Sequence, residues 1–134
     1  MRLPLIPAAL ALLLGAAASA EPAGPTGRWL SASGNVEVAI APCGPALCGT
    51  IARVIANRSM EGGAPMGPRP GVGLKIMTGF RAEGGDHWTG RLYDRENGRT
   101  YDCRLSLDGR DRLVVRAYLG LPLFGKTQIW RREP

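Results

Sequence analysis

The chain is 134 residues long, carries a formal net charge of +6, and is 45% hydrophobic and 21% charged. That length admits one domain with a real core and leaves no room for a second. The basic residues are scattered rather than gathered into a stripe, which argues against nucleic acid and leaves solubility or contact with an anionic envelope surface.

The chain opens "MRLPLIPAALALLLGAAASA". Arg2 is a short basic start, Leu3 to Ala17 is almost wholly apolar, and Ala18-Ser19-Ala20 has the small-x-small pattern that signal peptidase accepts. Residues 1–20 read as a secretory signal peptide cleaved after Ala20. The alternative is an uncleaved anchor, for which the apolar run is short. No later stretch is apolar enough to span a bilayer. The expected destination is the periplasm or the exterior, where disulfides form. Residues 21–26, "EPAGPT", read as a flexible leader to a single domain over 27–134.

From Gly27 onward the sequence alternates with period two, the mark of half-buried strands. The candidate strands are "GRWLSA", "NVEVAIA", "LCGTIARVIA", "VGLKIMTGF", "DHWTGRLYD", "RTYDCRLSL", "RLVVRAYLG" and "GKTQIWRR". No window has helical apolar spacing. Asn97-Gly98 and Asp108-Gly109 suit the positive φ angles of tight hairpins. Only "NRSMEGGAPMGPRPG", residues 57–71, is long and irregular, and it reads as either a lid or a loose insertion. Up-and-down strands on short turns fit a small antiparallel barrel of about eight strands.

Alternation also sorts the faces. Val72, Leu74, Ile76 and Phe80 share one, opposite Lys75. Tyr101, Cys103, Leu105 and Leu107 share another, opposite Asp102, Arg104 and Ser106. Leu113, Val115, Ala117 and Leu119 oppose Arg116 and Tyr118. The last strand puts Lys126, Gln128, Trp130 and Arg132 together. That mixed face is either a packing cluster, with arginine on an indole, or one wall of a polar-lined cavity.

The strands either side of "APCGPALCGT" form a hairpin, so Cys43 and Cys48 face each other across a turn containing Gly44-Pro45. Such neighbours lie near disulfide distance. The expectation is a disulfide, with Cys103 left as a buried thiol.

Signs of catalysis are thin. "DRENG" is like a calcium loop only superficially: counted from Asp94, glycine comes at the fifth position and Leu105 stands where an EF-hand needs glutamate. Asp94 instead reads as a turn cap. The chain has one histidine, His87, and no G-x-S-x-G, so a hydrolase is an unfavoured alternative. Zinc can be assembled on paper from Cys43, Cys48, His87 and Cys103, but Cys103 points into an apolar face. No metal and no cofactor is expected.

"GRWLS", "HWTGRLYDRENGRTYDCRLSL" and "LVVRAYLGLPLFGKTQIWRR" together resemble the bacterial exported family catalogued as domain of unknown function 2147. The matching residues are Gly27 and Trp29; Trp88, Gly90, Asp94, Glu96, Asn97, Gly98 and Tyr101; Arg116, Tyr118 and Gly120; and Leu123, Phe124, Gly125, Thr127, Trp130 and Arg132. Arg95 and Ala117 depart from the family's proline and glycine. The resemblance implies a lipocalin-like, calycin-type barrel and brings no activity with it. By similarity to lipocalins, Trp29 pairs with Arg132, or with Arg131 on a shifted register, to close the barrel floor.

The resulting expectation is a non-catalytic exported barrel, a monomer or weak oligomer, that binds a small amphipathic ligand. Trp88, Tyr101, Arg116, Tyr118, Gln128 and Trp130 are the candidate pocket wall. Trp29, Arg132, Asp94, Asn97 and Gly98 are the structural residues. The alternative is an envelope-interaction or maintenance protein with no ligand cavity.

Overall fold

The computed structural model describes residues 2–4, 24–58, 71–121, 123 and 125–134. Nearly all of the predicted signal sequence, with its cleavage site, and most of the predicted long loop lie outside the described residues.

The strands are β1 (Gly27–Leu30), β2 (Val36–Cys43), β3 (Ala46–Val54), β4 (Lys75–Glu83), β5 (His87–Tyr93), β6 (Thr100–Leu107), β7 (Arg112–Tyr118) and β8 (Gly125–Arg132). Each pairs antiparallel with the next, and β8 returns to β1 to close the barrel. Closure leaves no sheet edge for another chain to pair with. The closing seam is short: Trp29 opposes Arg132, and Leu30 opposes Arg131.

Up-and-down topology sorts the connections into two ends. The turns after β1, β3, β5 and β7 gather at one end, which we call the mouth. The turns after β2, β4 and β6, with residues 24–26 and the C-terminus, gather at the other, the floor. Trp29, Val38, Ile51, Met77, Phe80, Leu105 and Leu113 are buried in the middle and floor half. An eight-stranded barrel is narrow enough for such side chains to fill it.

Three sequence expectations need correction. The alternation read through "VGLKIMTGF" breaks: Val72 is exposed and precedes β4, while Met77 is buried. Gly49 opposes Met77 and Thr50 opposes Lys75, so Ile76 is an extra residue on β4. That bulge turns both Ile76 and Met77 to the interior. Asn97-Gly98 and Asp108-Gly109 are not two-residue hairpin turns of the mirror-image type, which demand positive φ at both positions; among the described residues only glycines have it. Residues 94–99 instead form a longer turn, closed by Asp94 N–H to the Arg99 carbonyl at 2.8 Å.

The third correction concerns the leader. Residues 24–26 of it are described, and they are anchored rather than loose. Pro25 is fully buried. Its carbonyl accepts from the Trp29 indole N–H at 2.8 Å. A proline buried under a barrel needs its carbonyl satisfied, and the indole does that.

Candidate functional site

At the floor, Arg132 ties two other segments of chain to the end of β8. Its Nε donates to the Arg110 carbonyl at 2.8 Å, and its Nη1 and Nη2 donate to the carbonyls of Thr26 at 2.8 Å and Gly24 at 3.3 Å. The guanidinium carbon lies 4.2 Å from the centre of the Trp29 ring. The planar fork allows this, because its faces stack while its edges donate. Gly27 is needed here: its φ is 135°, and a Cβ would stand 2.5 Å from Arg132 Nη1. The partner of Trp29 is therefore Arg132 and not Arg131.

Trp88 belongs to this same end. It opposes Leu105 across β5 and β6. Its indole lies so near Gly24 that a Cβ there would meet the ring at 2.6 Å. His87 is its neighbour, bonded through Nδ1 to Asp86 at 2.9 Å and 4.0 Å from Glu83. The hydrogen bond from His87 holds the Asp86 carboxyl below the ordinary carboxylate range. No group of three or more His, Cys, Asp or Glu among the described residues is placed to hold a metal.

Cys43 and Cys48 form a disulfide with Cα atoms 5.5 Å apart. They are not directly opposed: Cys43 pairs with Ala46 and Cys48 with Ala41, so the bridge runs diagonally. The hairpin's two-residue turn is Gly44-Pro45. Gly44 has a φ of 64° and Pro45 brings a fixed negative φ, as a glycine-first hairpin turn requires. A disulfide points to an oxidising, exported compartment. Cys103 is free and buried, and desolvation pushes its thiol up to about 12.

The mouth is different: it opens into a cavity of about 460 Å³. Val36, Ile76, Leu92, Ala117 and Trp130 supply its apolar wall, and Ser31, Asn35, Tyr93, Tyr101, Lys126 and Gln128 its polar groups. The rim is braced. Asn35 uses both ends of its amide on the Arg58 backbone, at 2.6 and 3.0 Å. Asp94 caps its turn by accepting from Glu96 N–H at 2.7 Å. Asn97 accepts from Arg99 N–H at 2.8 Å and donates to the Tyr101 hydroxyl at 2.8 Å. Arg95 reaches across to Asn57 at 2.6 Å.

Of the six candidate wall residues, Tyr101, Tyr118, Gln128 and Trp130 line the cavity. Trp88 does not, since it stands at the floor. Arg116 does not either: it opposes Arg104 and Thr127 on the outer row and donates to Thr127 Oγ1 at 2.6 Å. Asp94 and Asn97, named for the turn, also face the cavity.

One hydrogen bond fixes the chemistry of the inner wall. The Trp130 indole N–H donates to Gln128 Oε1 at 3.0 Å. An indole nitrogen is donor only, so it must meet the amide oxygen. The Gln128 Nε2 is left as the amide's other pole, a pair of donors on a cavity-lining side chain. Lys126, two residues nearer the mouth on the same inner row, adds a cation.

A family model described as "Uncharacterized protein conserved in bacteria", domain of unknown function 2147, matches residues 27–132, which run from the first strand to the last. The chain belongs to this family. Among solved structures, protein HP1028 of the human pathogen Helicobacter pylori, a member of the lipocalin family, is similar with a TM-score of 0.61. The two share 13% identity over 81% of this chain and 82% of that one, a likeness of fold. No curated protein matches the sequence.

For this member of the family, sequence reasoning missed most of the apolar cavity wall. Val36, Ile76 and Leu92 look like any inward strand residue. Alternation tells inside from outside, but it does not give height along the barrel axis, which depends on register and stagger. Lys126 did carry a signal, since it shares a face with Gln128 and Trp130.

Proposed function

We propose that this family member is an exported, periplasmic or secreted carrier that binds a small amphipathic molecule in the barrel mouth, with no catalytic role. The observation that carries the reading is the cavity of about 460 Å³, which is within the range of small-molecule sites and joins an apolar wall to a polar rim that includes Asp94, Arg95, Glu96 and Lys126. The apolar part of the ligand packs on Val36, Ile76, Leu92 and Trp130. Its polar end carries hydrogen-bond acceptors, a carboxylate above all, which meet Gln128 Nε2 and Lys126 Nζ. Supporting the non-catalytic reading, His87 stands at the floor, away from the cavity and already engaged by Asp86.

A dansylated fatty acid and the matching dansylated amine test it by fluorescence titration. The acid is expected to bind and the amine to bind at least about tenfold more weakly, the weight of one well-formed charged contact. Ala117→Phe, which projects a ring from the inner wall into the cavity, is expected to abolish binding while leaving a cooperative melt. Absence of binding by either probe, or binding unchanged in Ala117→Phe, defeats the proposal and favours an envelope-interaction role without a ligand.

A further inference from the structure

The connection from β7 to β8 departs from the usual character of a hairpin tip. It reads "LGLPLFG", with no polar side chain at all. Leu119, Leu121 and Leu123 are 59%, 62% and 78% exposed. The other large exposed hydrophobics of the barrel among the described residues are Ile55 and Val72, on the connection that follows β3. Single exposed leucines are ordinary, but three on one short loop beside a cavity are not. Leu119 itself lines the cavity, so the apolar tip and the pocket are continuous.

The strands that carry this tip are cationic without exception. From Arg112 to Arg132 the charged residues are Arg112, Arg116, Lys126, Arg131 and Arg132, with no Asp or Glu. Arg116 and Lys126 are the two that flank the tip, and Arg116 Nη2 lies 3.4 Å from the Leu123 carbonyl. An apolar tip bracketed by cations matches the layering of an anionic bilayer: acyl chains take the leucines, and phosphates take the basic groups whose stems snorkel upward.

We propose that the barrel docks mouth-first on an anionic phospholipid surface, with Leu119, Leu121 and Leu123 entering the interfacial layer and the outward-facing Arg116 held at the phosphates. Docking in this pose sets the cavity mouth against the lipid. It stands on the loop and the charge of its hairpin, and holds whether or not the cavity binds the ligand class proposed above.

The test is co-sedimentation with vesicles, using protein isolated from its host with the N-terminus the cell leaves on it. One set of vesicles is phosphatidylglycerol and phosphatidylcholine in equal parts; the other is phosphatidylcholine alone. The protein is expected to pellet with the anionic vesicles only, and to release as salt rises from about 0.05 M to about 0.5 M. The triple variant Leu119→Ser, Leu121→Ser, Leu123→Ser, sharing the same N-terminus, is expected to bind at least about tenfold more weakly with an unchanged melting temperature. No pelleting, equal pelleting with neutral vesicles, or pelleting undiminished in the triple variant overturns the proposal. So does a concentration-dependent dimer in sedimentation velocity that is lost in the variant without any vesicle binding, which would make a second copy the occupant of the leucine tip.

Discussion

The two ends of this barrel are built on opposite rules. At the floor a single arginine satisfies three carbonyls from two separate segments and covers a fully buried indole, and residues 24–26 lie beneath it. At the mouth, the bracing bonds run among the turns themselves, through Asn35, Asp94, Arg95 and Asn97, and leave the interior open. A barrel needs one closed end to set its shape and can then leave the other free to accept a ligand. Stability should therefore be concentrated below and tolerance above.

The largest expected effect breaks the floor. Trp29→Ala removes a fully buried indole, the donor to the Pro25 carbonyl and the platform under Arg132. The expected loss is about 3–5 kcal/mol, read from the shift in urea midpoint at constant m-value. Trp130→Ala at the cavity wall is expected to lose less, by about 1 kcal/mol or more, because water already reaches that cavity and fills the vacated space. Equal losses at the two tryptophans would end the contrast between the ends.

That contrast was only partly visible in the amino-acid sequence. The period-two pattern marked all eight strands, because a half-buried strand must alternate. The Trp29–Arg132 pair was reachable only through family likeness, since no local rule joins residues at opposite ends of a chain. Height was the hidden variable. Trp88 and Trp130 are equally aromatic and both face inward, yet one packs under Gly24 and the other walls the cavity. Arg116 misled because its neighbour Ala117 faces the cavity, while the pleat sends Arg116 outward to Thr127. The Ile76–Met77 bulge was invisible, because an extra residue in a strand leaves no compositional trace when both side chains are apolar.

The next effect in size concerns the Cys43–Cys48 hairpin, the turn after β2 at the floor end. Closing so short a loop gives about 2 kcal/mol in the chain-entropy treatment. Cys43→Ser with Cys48→Ser is expected to lose about that much in thermal unfolding, and a reducing agent should reproduce the loss in the parent. A variant as stable as the parent would show that the Gly44-Pro45 turn alone holds the hairpin.

A smaller and pH-dependent effect comes from Cys103. Its thiol is pushed up to about 12 by burial, against an ordinary value of 9.0. Below pH 9 the thiol is protonated in folded and unfolded chains alike, and its contribution is complete. Above pH 9 the unfolded chain ionises first, so stability from this group falls as pH climbs toward 12. The slope of stability against pH between about 9 and 10.5 should be shallower in Cys103→Ala than in the parent. Alkylation at pH 8 should label no thiol in the folded protein and one after unfolding, and prompt labelling of the folded form would contradict the burial.

The smallest effect on stability is expected to be the largest on binding, and it isolates the mouth. Gln128→Glu preserves the shape of the side chain and the acceptor that the Trp130 N–H requires. It replaces the amide's donor pole with a second carboxylate oxygen. Stability should change by no more than about 1 kcal/mol, because the hydrogen bond survives and the site borders water. A dansylated fatty acid, by contrast, should lose at least about tenfold in affinity, because its carboxylate now meets an anion of like charge. The matching amine should gain, since the new carboxylate pairs with its ammonium group. Lys126→Met should weaken the acid without the reciprocal gain for the amine, since it removes a cation and introduces no anion. Inversion in one variant and simple loss in the other would assign the ligand's polar end to this wall. If the acid bound Gln128→Glu as well as it binds the parent, its carboxylate would have to sit elsewhere on the rim, and the amide donors of Gln128 would have another purpose.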